Sequence, residues 1–190
     1  MVGLIQKILL DMVRDVAGEE VLIHIKQEAG VAPDKEFQIN NVYDDEEWQK
    51  LFAAALKILN LTPEQADEIY ASYFIKDALK RFPTWFNMSK NSYEFLLIQP
   101  TIHNCFATSV LEKKERDAIN DKFVVDKLPH NPKKLITHYR SHNHHCGLYK
   151  ALAKGVINHY QDKAEIAETH CLKQGDDECQ IHIEWSKLGA

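Results

Sequence analysis

The stretch HYRSHNHHC, residues 138–146, contains four of the ten histidines of the chain together with a cysteine, a tyrosine and a serine. An ordinary solvated loop needs no such concentration of donor side chains. Imidazole nitrogens and thiolates are ligands that zinc and iron accept. The stretch therefore indicates a metal or cofactor site.

The four cysteines are Cys105, Cys146, Cys171 and Cys179. Cys171 ends one predicted strand and Cys179 begins its hairpin partner, while Cys146 lies near the start of the last predicted helix. The three thiols can therefore converge, and either His170 or His145 would complete a Cys₃His zinc site. The alternative interpretation is that buried cysteines serve as small apolar side chains.

Two further sets of residues can carry chemistry. His103 lies on a predicted helix with Phe106 three residues away, so its imidazole is expected in apolar surroundings, either as a core histidine or as a ligand. Tyr139, Ser141 and Asn143 alternate along a predicted strand and would share one polar face. No glycine-rich elbow or third catalytic partner accompanies these residues, and we therefore expect no enzyme.

The spacing of apolar residues predicts helices through the first hundred residues. The first begins near Leu4 and ends where Gly18 takes the C′ position. Further helices are predicted at residues 19–30, 44–60, 61–82 and 92–111. The start of the fourth is best marked, because Thr62, Pro63 and Gln65 make a capping box with proline at N1.

The second half of the chain mixes strands with one helix. Strands are predicted at residues 134–140, 164–171 and 179–185, and a helix at 144–160. Turn residues from Gly175 to Asp177 indicate a hairpin between the last two strands. The fold class is therefore α+β, with a helical first half and a small antiparallel sheet with a packed helix, in a single domain over residues 1–190.

Charge and hydropathy exclude several classes of partner. The net charge is −5 and the chain has no long run of lysine or arginine, which argues against nucleic acid. No apolar stretch reaches the roughly 18–20 residues of a membrane span. The N-terminus does not resemble a signal peptide, so we expect a cytoplasmic protein with reduced cysteines.

Four segments together resemble one known family. They are MVGLIQKILLDMV at the start, TIHNCF around His103, HYRSH, and ETHCLKQGDDECQIHIEW near the end. They resemble the haem-nitric oxide/oxygen binding (H-NOX) domains of bacteria, which also form the haem region of soluble guanylate cyclase. The resemblance covers nearly the whole chain and implies haem b as cofactor.

The resemblance also implies roles for individual residues. His103 would be the proximal ligand of the haem iron, Tyr139 and Ser141 would bind the haem propionates, and Ile5 would pack on the distal side of the haem. Asn143 stands where the Tyr-x-Ser-x-Arg motif has arginine, so a charged pairing with a propionate is lost.

In some members of that family the C-terminal cysteines bind zinc, which matches Cys146, Cys171 and Cys179. The zinc histidine of those members lies shortly before the middle cysteine. His170 is the nearest match here, and Glu168 occupies the place three residues before Cys171.

The resemblance implies a haem-based sensor of nitric oxide or another diatomic gas without catalytic activity. It would signal by conformational change to a histidine kinase or a cyclic-dinucleotide enzyme. Two alternatives are a haem-free relative that senses redox state through a zinc–thiolate site, and a small-ligand module like the related vinyl-reductase-type domains.

Overall fold

The computed structural model describes residues 2–108, 110, 112–120, 122–141 and 143–189. The chain divides into two units, residues 1–74 and 75–190, and the boundary between them lies within one continuous helix. The predicted α+β class is confirmed, since helices precede a small antiparallel sheet that is accompanied by one more helix. A single domain over residues 1–190 stays a prediction.

The first unit contains three helices and the beginning of a fourth. They are α1 (Gly3–Ala17), α2 (Glu19–Glu28), α3 (Asp45–Leu59) and α4 (Pro63–Arg81), the last of which crosses the boundary between the units. Trp48, Leu51 and Tyr70 are among the fully buried side chains of this unit. The apolar periodicity of the sequence therefore predicted the helices that form its core.

Local sequence sets the ends of these helices. Gly18 ends α1 with φ +90°, and the capping box is formed as predicted: Gln65 N–H donates to Thr62 Oγ1, while Thr62 N–H donates to Gln65 Oε1 at 2.9 Å. Gly3, the first residue of α1, lies close to the backbone of Gln38. A Cβ at Gly3 would lie 2.2 Å from the carbonyl oxygen of Gln38. Only glycine fits at that position.

The second unit contains the remaining helices. They are the end of α4, α5 (Pro83–Asn87), α6 (Ser92–Ala107), α7 (Lys113–Asn120) and α8 (Cys146–His159). The start of α6 is held by buried hydrogen bonds: Asp162 Oδ2 accepts from both the backbone N–H and the hydroxyl of Ser92, and the indole N–H of Trp185 donates to Ser92 Oγ at 2.8 Å. These bonds fix the helix that carries His103.

The sheet has four antiparallel strands in the order β1–β2–β4–β3. Their bounds are β1 (Phe123–Leu128), β2 (Asn131–Tyr139), β3 (Lys163–His170) and β4 (Cys179–Lys187). On the two central strands, Leu135, Ile181 and Ile183 are fully buried, which defines the inner face of the sheet. The predicted hairpin between the last two strands is confirmed, with Gly175 left-handed in its turn.

Within the part of the chain that the structure describes, no helix combines the length and the hydropathy needed to cross a bilayer.

Candidate functional site

His103 lies in the last turns of α6, in the second unit, and its ring is mostly withdrawn from water. Burial lowers the pKa of the imidazole from 6.5 to about 4, and the nearby positive charge of Lys122 acts in the same direction. A hydrogen bond with Asn104 opposes the shift. The ring is therefore neutral near pH 7, which is the protonation state that a metal ligand requires.

Titration of His103 leads to a prediction for the apoprotein. Between pH 6.5 and about 4 the unfolded chain takes up a proton at this residue that the folded chain does not, so the free energy of unfolding falls as the pH is lowered. The loss amounts to on the order of 3 kcal/mol for a shift of this size. Urea unfolding of His103→Leu and of the wild type at a series of pH values measures it, since the variant lacks this loss. A wild-type-to-variant difference that is constant from pH 7 to pH 4 would contradict the prediction.

Tyr139, Ser141 and Asn143 are all buried, but they do not share a strand. Strand β2 ends at Tyr139, and the chain turns at Ser141, whose hydroxyl accepts the N–H of Asn143 and whose carbonyl accepts the N–H of His144. The predicted alternation past Tyr139 is therefore wrong. These local hydrogen bonds to serine compete with continuation of the strand.

The hydroxyl groups of Tyr139 and Ser141 nevertheless come together. The Tyr139 hydroxyl lies within hydrogen-bonding reach of the Ser141 hydroxyl and of the backbone of His145. Burial raises the pKa of Tyr139 to about 12, so the phenol keeps its proton and can donate it to a carboxylate.

The hydroxyl groups of three other tyrosines are hydrogen-bonded within the protein. In the first unit Tyr70 donates to the carbonyl oxygen of Ile5 at 3.0 Å, and Tyr73 donates to Asp15 at 2.5 Å. In the second unit the Tyr149 hydroxyl is 2.8 Å from Thr137 Oγ1. All three hydroxyls therefore have protein partners. Ile5 itself is half-buried on α1, within the first unit.

The three cysteines converge as the sequence predicted. Cys146 Sγ is 3.7 Å from Cys171 Sγ, which is 4.0 Å from Cys179 Sγ. All three are buried and free, whereas Cys105 is exposed on α6. Burial raises the pKa of both Cys146 and Cys179, whose thiols therefore hold their protons at neutral pH.

The fourth donor in this group is Glu168, where the sequence had favoured His170. One donor atom from each of Cys146, Glu168, Cys171 and Cys179 lies within 4.8 Å of the others; we call these four residues the cysteine cluster. His170 is exposed, with Nδ1 3.2 Å from Thr169 Oγ1, and it is outside the cluster.

A bulge in β3 explains the difference. Glu168 pairs with Ile181, whereas His170 pairs with Gln180. Strand β3 therefore advances by two residues where β4 advances by one, which leaves one extra residue in β3. Residues opposite each other in an antiparallel sheet share a face. Glu168 therefore lies on the inner face with Ile181, and His170 lies on the outer face.

The two oxygens of Glu168 have different surroundings. Oε2 accepts from Lys150 Nζ at 2.8 Å, and the lysine lowers the pKa of the carboxyl against the effect of burial. Oε1 is buried and has no hydrogen-bond partner among the described residues. A buried, unpaired carboxylate oxygen beside three thiols suits a tetrahedral zinc ligand set.

The described histidines of residues 138–146 lie outside the cysteine cluster, including His145, the other zinc ligand that the sequence allowed. His138 is on the outer face of β2, where Nδ1 is 2.6 Å from Glu178 Oε1 and Nε2 is 3.3 Å from Asp126 Oδ2. His144 is exposed with φ +54°, and His142 is outside the described residues.

The second unit thus combines a neutral, half-buried imidazole with two buried hydroxyls that can bind carboxylates. This set of donors suits a haem, whose iron accepts imidazole and whose propionates accept hydrogen bonds. In sequence, the model of the family described as Haem-NO-binding, HNOB, matches residues 2–168. The chain belongs to this family, the H-NOX domains, which are haem-based gas sensors. No curated protein matches the chain significantly.

Solved structures share the fold. An H-NOX protein from S. oneidensis in the Fe(II)NO ligation state is 19% identical, with a TM-score of 0.76, over 98% of this chain and 100% of the other. An oxygen-binding H-NOX domain related to soluble guanylate cyclases is 16% identical, with a TM-score of 0.78, over 99% and 96%. The Fe(II) unliganded A71G mutant of an H-NOX protein from K. algicida is 19% identical, with a TM-score of 0.76, over 98% and 97%.

Proposed function

We propose that this chain is a cytoplasmic sensor of a diatomic gas that binds haem b through His103. The observation that carries the proposal is the neutral, half-buried imidazole of His103 on α6 of a chain from the Haem-NO-binding family. When bound, the haem would supply the iron to which the gas binds. Signalling without catalysis, to a histidine kinase or a cyclic-dinucleotide enzyme, is part of the proposal.

The other residues would bind and orient the haem. Tyr139 and Ser141 would donate hydrogen bonds to propionate oxygens, and Ile5 would pack on the distal side. Asn143 is buried where the family motif has arginine, and as a neutral amide it would contribute a weaker hydrogen bond than a guanidinium. We therefore expect the two hydroxyls to carry much of the propionate binding.

Nitric oxide is the gas that we favour over oxygen. An oxygen sensor would be expected to offer its gas a hydrogen-bond donor, whereas a nitric oxide sensor would not need one. The hydroxyls of Tyr70, Tyr73 and Tyr149 already have protein partners, which supports this preference.

The absorption spectrum of the purified protein tests the proposal. After expression with added haem precursor, we expect a Soret band that shifts when nitric oxide is added to the ferrous protein and does not shift to an oxygen complex in air. A protein without a Soret band after incubation with excess haem would refute the haem-sensor function.

We also propose that the cysteine cluster binds one zinc ion per chain. The four donors and the unpaired oxygen of Glu168 support this, and zinc would replace the protons that the thiols carry. If the protein binds zinc but no haem, sensing of redox state by the cluster becomes the better supported function.

A further inference from the structure

We propose that zinc binding by the cysteine cluster and haem binding by Tyr139 and Ser141 are energetically coupled, so that each raises the affinity for the other. The inference rests on the proposed function. The connecting part of the molecule is the loop between β2 and α8, called here the 140–145 loop, of which the structure describes residues 140, 141 and 143–145. The residues at its two ends both lie at the cluster.

The first end is tied through the sheet. Tyr139, the last residue of β2, is paired directly with Cys179, the first residue of β4. Residues paired in this way have side chains on the same face, within about 5 Å of one another at Cβ. Both side chains are buried, at 8% exposure for Tyr139 and 0% for Cys179. A shift of Cys179 is therefore transmitted directly to Tyr139.

The second end is a member of the cluster itself. Cys146 follows the loop immediately and begins α8, with Sγ 3.7 Å from Cys171 Sγ and 3.8 Å from the carbonyl oxygen of His144. The carbonyl of His145 accepts the N–H of Tyr149 in the first turn of that helix. The position of Cys146 therefore sets the position of the last loop residues.

Hydrogen bonds inside the loop connect these ends to the haem-binding hydroxyls. The Tyr139 hydroxyl is within reach of both the Ser141 hydroxyl and the backbone of His145, one residue before Cys146. Ser141 in turn accepts the N–H groups of Asn143 and His144. Moving or loosening Cys146 therefore disturbs the partners of Tyr139 and the turn that holds Ser141.

Zinc changes how firmly this loop is held. Thiols hold one another only weakly, and the Sγ–Sγ separations of 3.7 and 4.0 Å suit sulfurs that share one zinc ion. With zinc, three Zn–S bonds of about 2.3 Å would fix Cys146 and Cys179, and with them both ends of the loop. Asn143 supplies no charge to a propionate. The propionate part of haem binding therefore depends on the hydroxyls of Tyr139 and Ser141, which the loop positions.

The test measures the two affinities in the same wild-type protein, kept reduced. The rate of haem transfer to excess apomyoglobin is measured with zinc bound and after removal of zinc by a chelator, and zinc affinity is measured with and without haem. We expect removal of zinc to speed haem loss by about tenfold, within the range usual for coupled sites, and haem to tighten zinc binding by the same factor. Adding zinc back should restore the slow rate.

Two variants serve as controls. Cys171→Ser removes a cluster thiol that is not at either end of the loop, and it should lose haem at the rate of metal-free wild type whether or not zinc is added. Cys105→Ser removes the exposed cysteine near His103 and should keep the full response to zinc.

The outcomes separate the inference from the function on which it rests. If the protein binds both haem and zinc, and each affinity is unchanged by the other ligand, the coupling is refuted and the gas-sensor function stands. Failure to bind zinc overturns both the coupling and the proposed zinc site, and it leaves the gas-sensor function standing. A protein that binds no haem overturns both.

Discussion

We expect the His103→Ala variant to purify without a Soret band and with haem content below about a tenth of that of the wild type, because the substitution removes the protein ligand of the iron. Alanine favours the helix, so α6 should keep its structure. The bonds from Ser92 to Asp162 and Trp185 hold the start of the same helix and do not involve His103. Circular dichroism should therefore match that of the wild-type apoprotein.

Two further variants sharpen this test. His24→Ala removes an exposed histidine on α2 and should leave haem content unchanged. In His103→Gly, imidazole added to the buffer can occupy the vacated space and should restore a Soret band. Full haem content in His103→Ala would remove this residue from the site, whatever the fate of the other variants.

Most helices could be predicted from the sequence, because their cores are local patterns. The apolar residues of α1 and α3 repeat at helical spacing, and the capping box at Thr62 marks the start of α4. Three elements were not predicted: α5, α7 and β1. The short α5 has only five residues, α7 lies in a highly charged segment without an apolar repeat, and β1 forms by pairing with β2, which is a non-local interaction.

The candidate site shows the same division between local and non-local causes. Cys171 and Cys179 converge because they lie at the two ends of a hairpin turn, and the turn residues from Gly175 to Asp177 predicted that hairpin. The choice between Glu168 and His170 depends on one extra residue in β3, and simple alternation would have put both on one face. The available signal was the position of Glu168 three residues before Cys171, because the resembling family has its zinc histidine shortly before the middle cysteine.

The strand predicted through Ser141 and Asn143 failed for a related reason. Alternating polar residues are compatible with a strand, but serine can also accept backbone N–H groups and begin a turn. Here it does so with Asn143 and His144. Tyr139 and Ser141 are nevertheless buried beside each other although the strand ends at Tyr139, because their hydroxyls lie within hydrogen-bonding reach across the turn.

The second large effect is expected in the cysteine cluster. Serine at Cys146, Cys171 or Cys179 should abolish stoichiometric zinc binding and lower the melting temperature of the zinc-loaded protein, because zinc that binds only the folded chain stabilises it. Cys105→Ser should keep both the metal and the melting temperature, since this exposed thiol is outside the cluster. Metal analysis and thermal melting in the presence of zinc measure the two properties. Loss of zinc in Cys105→Ser with retention in Cys179→Ser would overturn the assignment.

The fourth ligand is decided by comparing Glu168→Gln with His170→Ala. Glutamine keeps the size of the side chain but removes its charge, so it should weaken zinc binding by at least about tenfold. Even residues that only contact a metal ligand typically cost about 10- to 100-fold in metal affinity when they are substituted. His170 lies on the opposite face of the sheet, and its removal should leave zinc affinity unchanged. Absorption of the cobalt-substituted protein gives an independent measurement, because the intensity of its bands reports tetrahedral coordination. The reverse result, with zinc lost in His170→Ala and kept in Glu168→Gln, would restore the histidine that the sequence favoured and would require the bulge in β3 to shift when the metal binds.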